Sequence, residues 1–206
     1  MPSPLRPVFW TLPLAFALWF FTFALPFGNF WFKLSLSASV LALLGLKWSR
    51  NHWRTLFCFK LSHLWLGPLS AILLYGIFWL GKEFSTLLFP FASKEISNVY
   101  FNRTQLSLPA IGFLLFFIMG PAEEIYWHGF VQRSLTERLG PAAGLLLTAA
   151  VYSLVHIVAL NFILLLAAAL CGLFWGWLYQ REQSLIPVIL SHSIWDVIIF
   201  VIFPLS

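Results

Sequence analysis

The chain has 206 residues, of which 61% are hydrophobic and 9% charged, and its mean hydropathy is +0.89. A soluble core of this size does not need so much apolar surface, so the composition indicates an all-α, polytopic membrane helix bundle. The net charge is +5, but the basic residues lie in short loops instead of one patch, which argues against nucleic-acid binding. The two cysteines predict neither a disulfide framework nor a metal cluster.

Seven apolar segments, each about long enough to cross a bilayer, follow one another along the chain. The first is predicted to be a retained helix, not a signal peptide, because the segment before it contains one basic residue, Arg6, and further spans follow at once. Lys47 to Lys60 is predicted to be a basic loop, and Lys82 to Gln105 the longest polar connection. The predicted spans are Val8–Phe27, Phe30–Leu46, Leu64–Leu80, Leu106–Arg138, Ala142–Leu160, Phe162–Tyr179 and Leu185–Phe203.

The basic residues also predict an orientation. Alternating seven spans from a cytoplasmic N-terminus places eight Lys and Arg residues inside and four outside, the bias expected of an integral multi-pass protein. In the sixth span, Gly172 and Gly176 are four residues apart and predict close helix packing without chemistry.

The stretch from Gly120 to Gly129 places two adjacent carboxylates, Glu123 and Glu124, inside the fourth span. Placing an acidic side chain at membrane depth costs free energy, so such residues tend to mark functional sites. Pro121 removes a backbone donor, so the helix is predicted to kink or restart there. A restart would put both carboxylates in a first helical turn, near exposed amides and the positive end of the helix dipole.

Several further ionisable side chains fall within the predicted spans. The charged forms would cost about 2.5–3.5 kcal/mol each on the insertion scale, which disfavours a purely structural role for the whole set. Pairs four residues apart share one helix face, as Glu124 does with His128 and Tyr152 with His156. The six acids and histidines of the spans are Glu123, Glu124, His128, His156, His192 and Asp196.

These residue types suit hydrolysis of a peptide bond inside the bilayer. A Glu near a His can take a proton from water, and attack on an amide needs donors aimed at the oxyanion. His192 can donate, and Asp196 can orient that imidazole or donate when protonated. At about 1.5 Å per residue, Glu123 and His192 lie at similar depths, whereas His156 comes out about 10 Å too far from the inner face.

Three stretches resemble the motifs of the CPBP family, the type II CAAX prenyl endopeptidases and bacteriocin-processing, ABI-like enzymes also called glutamic intramembrane proteases. The stretches are Glu123-Glu124-Ile-Tyr-Trp-His128-Gly129, Tyr152-Ser-Leu-Val-His156 and His192-Ser-Ile-Trp-Asp196. The resemblance covers about Leu106 to Phe203. It divides the chain into N-terminal transmembrane helices and loops, residues 1–105, and a catalytic helical core, residues 106–206.

By that resemblance, Glu123 is expected to be the base that activates water, with His156 as its partner. His192 and Asp196 are expected to form the oxyanion site, and Glu124 to assist. The expected enzyme needs no metal or cofactor and cleaves a membrane-associated peptide or protein in the lipid bilayer, in a membrane that we expect to be prokaryotic.

The chain departs from the family pattern at three positions. His128 stands where the family usually has Arg, so an ion pair with Glu124 becomes pH-dependent. Tyr152 replaces the commoner Phe and adds a hydroxyl, and Asp196 replaces the commoner Asn. His128 and Tyr152 are therefore expected to be supporting residues of the site.

Three other interpretations stay open from the sequence. A zinc protease could use Glu123, His156 and His192 as ligands, although the His-Glu-x-x-His spacing is missing. A membrane scaffold or immunity-type protein could keep the motifs as structure. A proton-coupled transporter could use buried acids as a relay, but repeated halves are not visible.

Overall fold

The computed structural model describes residues 5–205, which form helices without a β-strand; 87% of these residues are helical. This confirms the all-α prediction. The helices are α1 Leu5–Phe23, α2 Phe30–Leu56, α3 His63–Leu88, α4 Ala92–Tyr100, α5 Leu108–Leu139, α6 Pro141–Ala159, α7 Phe162–Glu182 and α8 Ile186–Ile202.

Six helices of the described chain are long and apolar enough to cross a membrane, namely α1, α2, α3, α5, α6 and α7. The seventh predicted span corresponds to α8, which is apolar but has 17 residues and so reaches about 26 Å, less than a hydrocarbon core of about 30 Å. Large apolar side chains such as Leu43, Leu73 and Leu147 are exposed on the outside of the bundle, where lipid would cover them. The fold is therefore that of an integral membrane protein close to the predicted seven-helix bundle.

The first helix ends earlier than predicted, at Phe23 instead of Phe27. Pro26 disfavours helical backbone in the residue before it, and Gly28 has a φ of +75°, a conformation that suits glycine. Asn29 then caps α2, because its side chain accepts hydrogen bonds from two amides of the first turn. This turn sets where α2 begins.

Two predicted connections are largely helical, so those predictions are wrong. The basic loop expected from Lys47 is the continuation of α2 to Leu56, because the intervening sequence contains neither Gly nor Pro to stop the helix. Helix α3 likewise runs on to Leu88 instead of ending near Leu80. The remaining polar segment folds as α4 and a 3₁₀ turn, Phe101–Gln105.

Helix α5 continues through Pro121, so of the two alternatives predicted there, a kink or a restart, the restart is wrong. The helix widens into π-type turns on both sides, at Leu115–Met119 and Ile125–Gln132. The amide of Gly120 donates to the carbonyl of Leu115, five residues back. Both carboxylates therefore lie in mid-helix, away from free terminal amides. Such π-type turns inside α-helices occur frequently at functional sites.

Connecting segments meet at two opposite ends of the bundle, as alternating spans require. At one end, the Ser184 hydroxyl donates to the Cys58 carbonyl at 2.8 Å, and the Leu185 amide donates to the Leu56 carbonyl at 2.7 Å. At the other, which we call the Gln105 end, the Asn29 side chain donates to the backbone carbonyl of Gln105 at 2.8 Å.

Small residues let α6 and α7 approach closely, which confirms the packing prediction for the sixth span. A Cβ at Gly172 would come within 3.0 Å of the Ala149 Cα, and one at Gly176 would overlap side chains of α5 and α6. Helices α5, α6 and α7 are thereby held together behind the acids of α5.

Candidate active site

Helices α5 and α8 cross closely at Gly120, where a Cβ would lie 3.1 Å from the backbone of Ser193. Gly120 is one turn before Glu124, and Ser193 adjoins His192, so this crossing brings these two candidate side chains together. The Glu124 Oε1 to His192 Nδ1 distance is 2.6 Å, and both residues are buried. A short hydrogen bond between a carboxyl group and an imidazole is among the stronger kinds.

Glu124 also faces His128, the residue four positions further along α5. The distance from Glu124 Oε2 to His128 Nε2 is 3.6 Å, too long for a hydrogen bond but close enough for an ion pair when the imidazole is protonated. Only 1% of Glu124 is exposed. The second carboxyl group of the pair is thus enclosed by two imidazoles, one from its own helix and one from α8.

Gln132 connects this group to α7. Its side-chain oxygen contacts His128 Nδ1, and its amide nitrogen donates to the carbonyl of Gly176 at 2.8 Å. An amide oxygen can only accept, so His128 carries its proton on Nδ1 and turns Nε2 towards Glu124. The residues Glu124, His128 and Gln132 form a buried ladder along one face of α5.

His192 is fixed on two further sides. The indole of Trp175 stacks on the imidazole with ring centres 3.7 Å apart and planes inclined by 18°. Asp196 lies one turn further along α8, with its Oδ2 3.5 Å from His192 Nε2. That distance exceeds a good hydrogen bond, so His192 Nε2 and the Asp196 carboxyl group remain able to contact a molecule beside them.

Glu123 accepts a hydrogen bond from the Tyr152 hydroxyl, with 2.8 Å between that oxygen and Glu123 Oε2. Tyr152 belongs to α6, and its ring packs edge-on against Trp127 of α5 with centres 5.3 Å apart. The extra hydroxyl seen in the sequence thus has a defined partner. It contacts the first acid of the pair, while the imidazoles contact the second.

His156, the expected partner of Glu123, forms hydrogen bonds elsewhere. Its Nδ1 lies 2.8 Å from the backbone carbonyl of Tyr152, and its Nε2 accepts from the indole of Trp19 at 3.1 Å. The side-chain hydrogen bond to Glu123 from α6 therefore comes from Tyr152. His156 still belongs to the same site, because its ring packs against that of Tyr152 with centres 5.3 Å apart.

A cavity of about 270 Å³ lies next to one of the two acids and not the other. Its wall includes Glu123 but neither Glu124 nor His128. The cavity continues towards the Gln105 end of the bundle, where Asn98 and Asn102 contribute to its wall. The other ionisable or hydroxyl-bearing site residues lining it are Tyr152, His156, His192 and Asp196.

Sequence reasoning missed three residues of this site. Gln132 could have been found, because it extends the four-residue spacing of Glu124 and His128 and is a buried polar side chain in an apolar helix. Trp175 and Trp19 carry no local signal. They resemble the many other tryptophans of the spans, and only the tertiary packing brings them to His192 and His156.

The zinc interpretation does not fit this arrangement. A ligand set of Glu123, His156 and His192 needs one free nitrogen from each imidazole. Both nitrogens of His156 are already engaged, one by a carbonyl and one by an indole N–H. Across residues 5–205, three or more His, Cys, Asp or Glu side chains do not converge in a metal-binding arrangement.

Fold and site together define a polytopic helical membrane protein with acids and imidazoles around an internal cavity. Residues 104–198, just under half of the chain, match the family model described as Type II CAAX prenyl endopeptidase Rce1-like. The match contains all three motifs and confirms the resemblance to the CPBP family. Neither the curated proteins nor the solved structures contain a match to the chain. The description of that family model names an endopeptidase, an enzyme that hydrolyses peptide bonds.

Proposed function

We propose that this protein is a glutamic-type intramembrane endopeptidase that cleaves near the membrane-embedded or C-terminal part of its substrate. The observation that carries the proposal is the division between the acids: Glu123 lines the cavity, whereas Glu124 lies behind it against two imidazoles. A base must reach a water molecule beside the scissile bond, and a cavity wall is where it can do so.

In the proposed reaction, Glu123 takes a proton from a water molecule in the cavity as the water oxygen attacks the carbonyl carbon. The tetrahedral intermediate then collapses. The C–N bond breaks, and the proton passes to the leaving amine. The hydrogen bond from Tyr152 keeps the Glu123 carboxyl group in one orientation during these transfers.

The oxyanion needs donors, and His192 is the candidate. With Glu124 at 2.6 Å from Nδ1, two protonation states place a proton on Nε2: a protonated Glu124 that donates to Nδ1, or an imidazolium beside a Glu124 carboxylate. Either state gives an N–H on the side of Asp196 and the cavity. Such preorganised donors commonly supply a large part of the catalytic effect.

An apolar substrate suits the surroundings of the site. A second cavity of about 270 Å³ lies between α3, α4, α7 and α8 and is lined mainly by apolar side chains. Leu164, Ala167, Trp195 and Phe200 line both cavities, so the two are neighbours. A substrate with an apolar chain next to its scissile bond could occupy both. The orientation expected from the basic residues, with a cytoplasmic N-terminus, is part of the proposal.

The test is cleavage by the purified protein in proteoliposomes, with a quenched fluorescent peptide that carries a prenylated cysteine followed by three residues. Mass spectrometry would identify the released fragment. We expect Glu123→Ala and His156→Ala to abolish cleavage while the protein still accumulates, and cleavage by the wild type to resist chelators. Normal turnover in either variant would contradict the proposal. A biological effect that persists in a Glu123→Gln, Glu124→Gln double variant would favour a non-catalytic scaffold.

A further inference from the structure

Trp19 of α1 reaches the candidate active site from outside the region that matches the family model. Its side chain is fully buried, and its indole Nε1 lies 3.1 Å from Nε2 of His156, 137 residues away in the chain. The α1 backbone packs against the 3₁₀ turn that carries His156, Val155–Ala159. A residue of the first helix is thus a direct neighbour of a motif residue.

The partners of His156 determine where its proton is. An indole N–H can only donate, so Nε2 of His156 must present its lone pair to Trp19. The backbone carbonyl of Tyr152 can only accept, so Nδ1 must carry the hydrogen. Both nitrogens are satisfied in a neutral imidazole with one tautomer, and the ring is held at both ends.

The fixed imidazole in turn supports the residue that holds Glu123. The ring of Tyr152 packs edge-on against His156 and against Trp127, with ring centres 5.3 Å away in both cases. Its hydroxyl then reaches Glu123 at 2.8 Å. Trp19 also packs edge-on against Trp127, at 6.2 Å, and so closes the aromatic group around Tyr152.

We propose that Trp19 is a positioning residue of the active site: its N–H binds the lone pair of His156 Nε2 and so holds the imidazole ring against which Tyr152 packs next to Glu123. The proposal rests on the proteolytic function proposed above. It makes the first helix a contributor to the catalytic unit, although the sequence motifs lie in α5, α6 and α8.

The chain offers a matched control for a test. Trp127 belongs to the same aromatic group and is buried to the same degree, but its indole N–H lacks a hydrogen-bond partner in the described structure. Trp19→Phe and Trp127→Phe remove similar volumes, and only Trp19→Phe removes a hydrogen bond. We expect Trp19→Phe to lower kcat by about 5- to 150-fold, the range for a buried acceptor left without its donor, with KM changed less than threefold. Trp127→Phe, which removes ring contacts but no hydrogen bond, should lower kcat less than Trp19→Phe does. Trp19→Tyr, whose hydroxyl can still donate, should recover part of kcat.

A chemical readout follows the hydrogen bond itself. Diethyl pyrocarbonate modifies unprotonated imidazole nitrogens, and His156 lines the cavity. Mass spectrometry of the His156 peptide, recorded in native membranes so that purification yield has no influence, should show faster labelling in Trp19→Phe than in Trp127→Phe or the wild type. Equal labelling and equal kcat in the two phenylalanine variants would overturn the proposal. If the wild type cleaves no peptide, the proteolytic function fails, while the labelling still decides whether Trp19 protects His156.

Discussion

The pair of Glu124 and His192 gives a quantitative test of how the two acids divide their roles. The perturbation is Glu124→Gln, which keeps the shape of the side chain and removes its charge. The bond of 2.6 Å to His192 Nδ1 then becomes a neutral hydrogen bond, in surroundings where only 1% of Glu124 is exposed. In the state with a Glu124 carboxylate beside a His192 imidazolium, the substitution removes the charge assistance of that bond.

The magnitude follows from typical hydrogen-bond energies. A hydrogen bond to a charged group contributes about 1.5–3 kcal/mol, and a neutral one about 0.5–1.5 kcal/mol. The difference, about 1–2 kcal/mol, corresponds to a loss of roughly 5- to 30-fold in kcat, because each 1.36 kcal/mol is tenfold in rate. KM should change little, since Glu124 does not line the cavity.

The assay is the initial rate of peptide cleavage in proteoliposomes over a range of substrate concentrations. Glu137→Gln is the control, because Glu137 lies on the same helix but forms an ion pair with Arg133 at 2.7 Å, away from the acids. It should stay within twofold of the wild type. A Glu124→Gln enzyme of wild-type activity would show that the charge of Glu124 does not assist His192. Complete inactivity in a folded Glu124→Gln protein would instead make Glu124 the reacting acid.

Three other substitutions test the packing around the site. Tyr152→Phe leaves Glu123 without its buried donor and should lower the free energy of unfolding by about 1–3 kcal/mol. Denaturant unfolding in detergent measures this quantity, and an unchanged value would show that the bond is weak. Gly120→Ala puts a Cβ against the backbone of Ser193, so we expect a destabilisation of about 1–3 kcal/mol and a loss of cleavage. A fully active variant would contradict the close crossing of α5 and α8. Ala167→Phe adds bulk where the two cavities adjoin and should raise KM for prenylated peptides more than for unmodified ones. Equal changes in KM would show that the second cavity does not bind the prenyl chain.

Sequence reasoning identified the helices that carry the motifs because each motif joins apolar periodicity with ionisable residues at four-residue spacing. The ladder from Glu124 through His128 to Gln132 is local to one helix, so its shared face could be predicted, and the structure has it. The close approach of Glu124 and His192 depends on the crossing at Gly120. That crossing depends on tertiary packing, which a local sequence pattern does not predict.

The depth estimate is consistent with the finding that Tyr152, and not His156, contacts Glu123. From the sequence, His156 appeared about 10 Å too far from the inner face to meet Glu123. Tyr152 precedes it by four residues, which is about 6 Å nearer along the helix, and Tyr152 is the residue that donates to Glu123. The Tyr152 to His156 motif lies beside Glu123, but the hydroxyl one turn before His156 makes the contact. The π-type turns of α5 and the role of Trp19 could not be foreseen, since both arise from packing between distant parts of the chain.

Single-turnover cleavage with enzyme in excess shows whether Glu123 activates the attacking water. Glu123→Gln keeps the size of the side chain and removes the base. We predict that the rate of product formation falls by about 10²- to 10⁴-fold, the usual contribution of a general base, while binding of the prenylated peptide is retained. A Glu123→Gln protein that cleaves within tenfold of the wild-type rate would contradict the account.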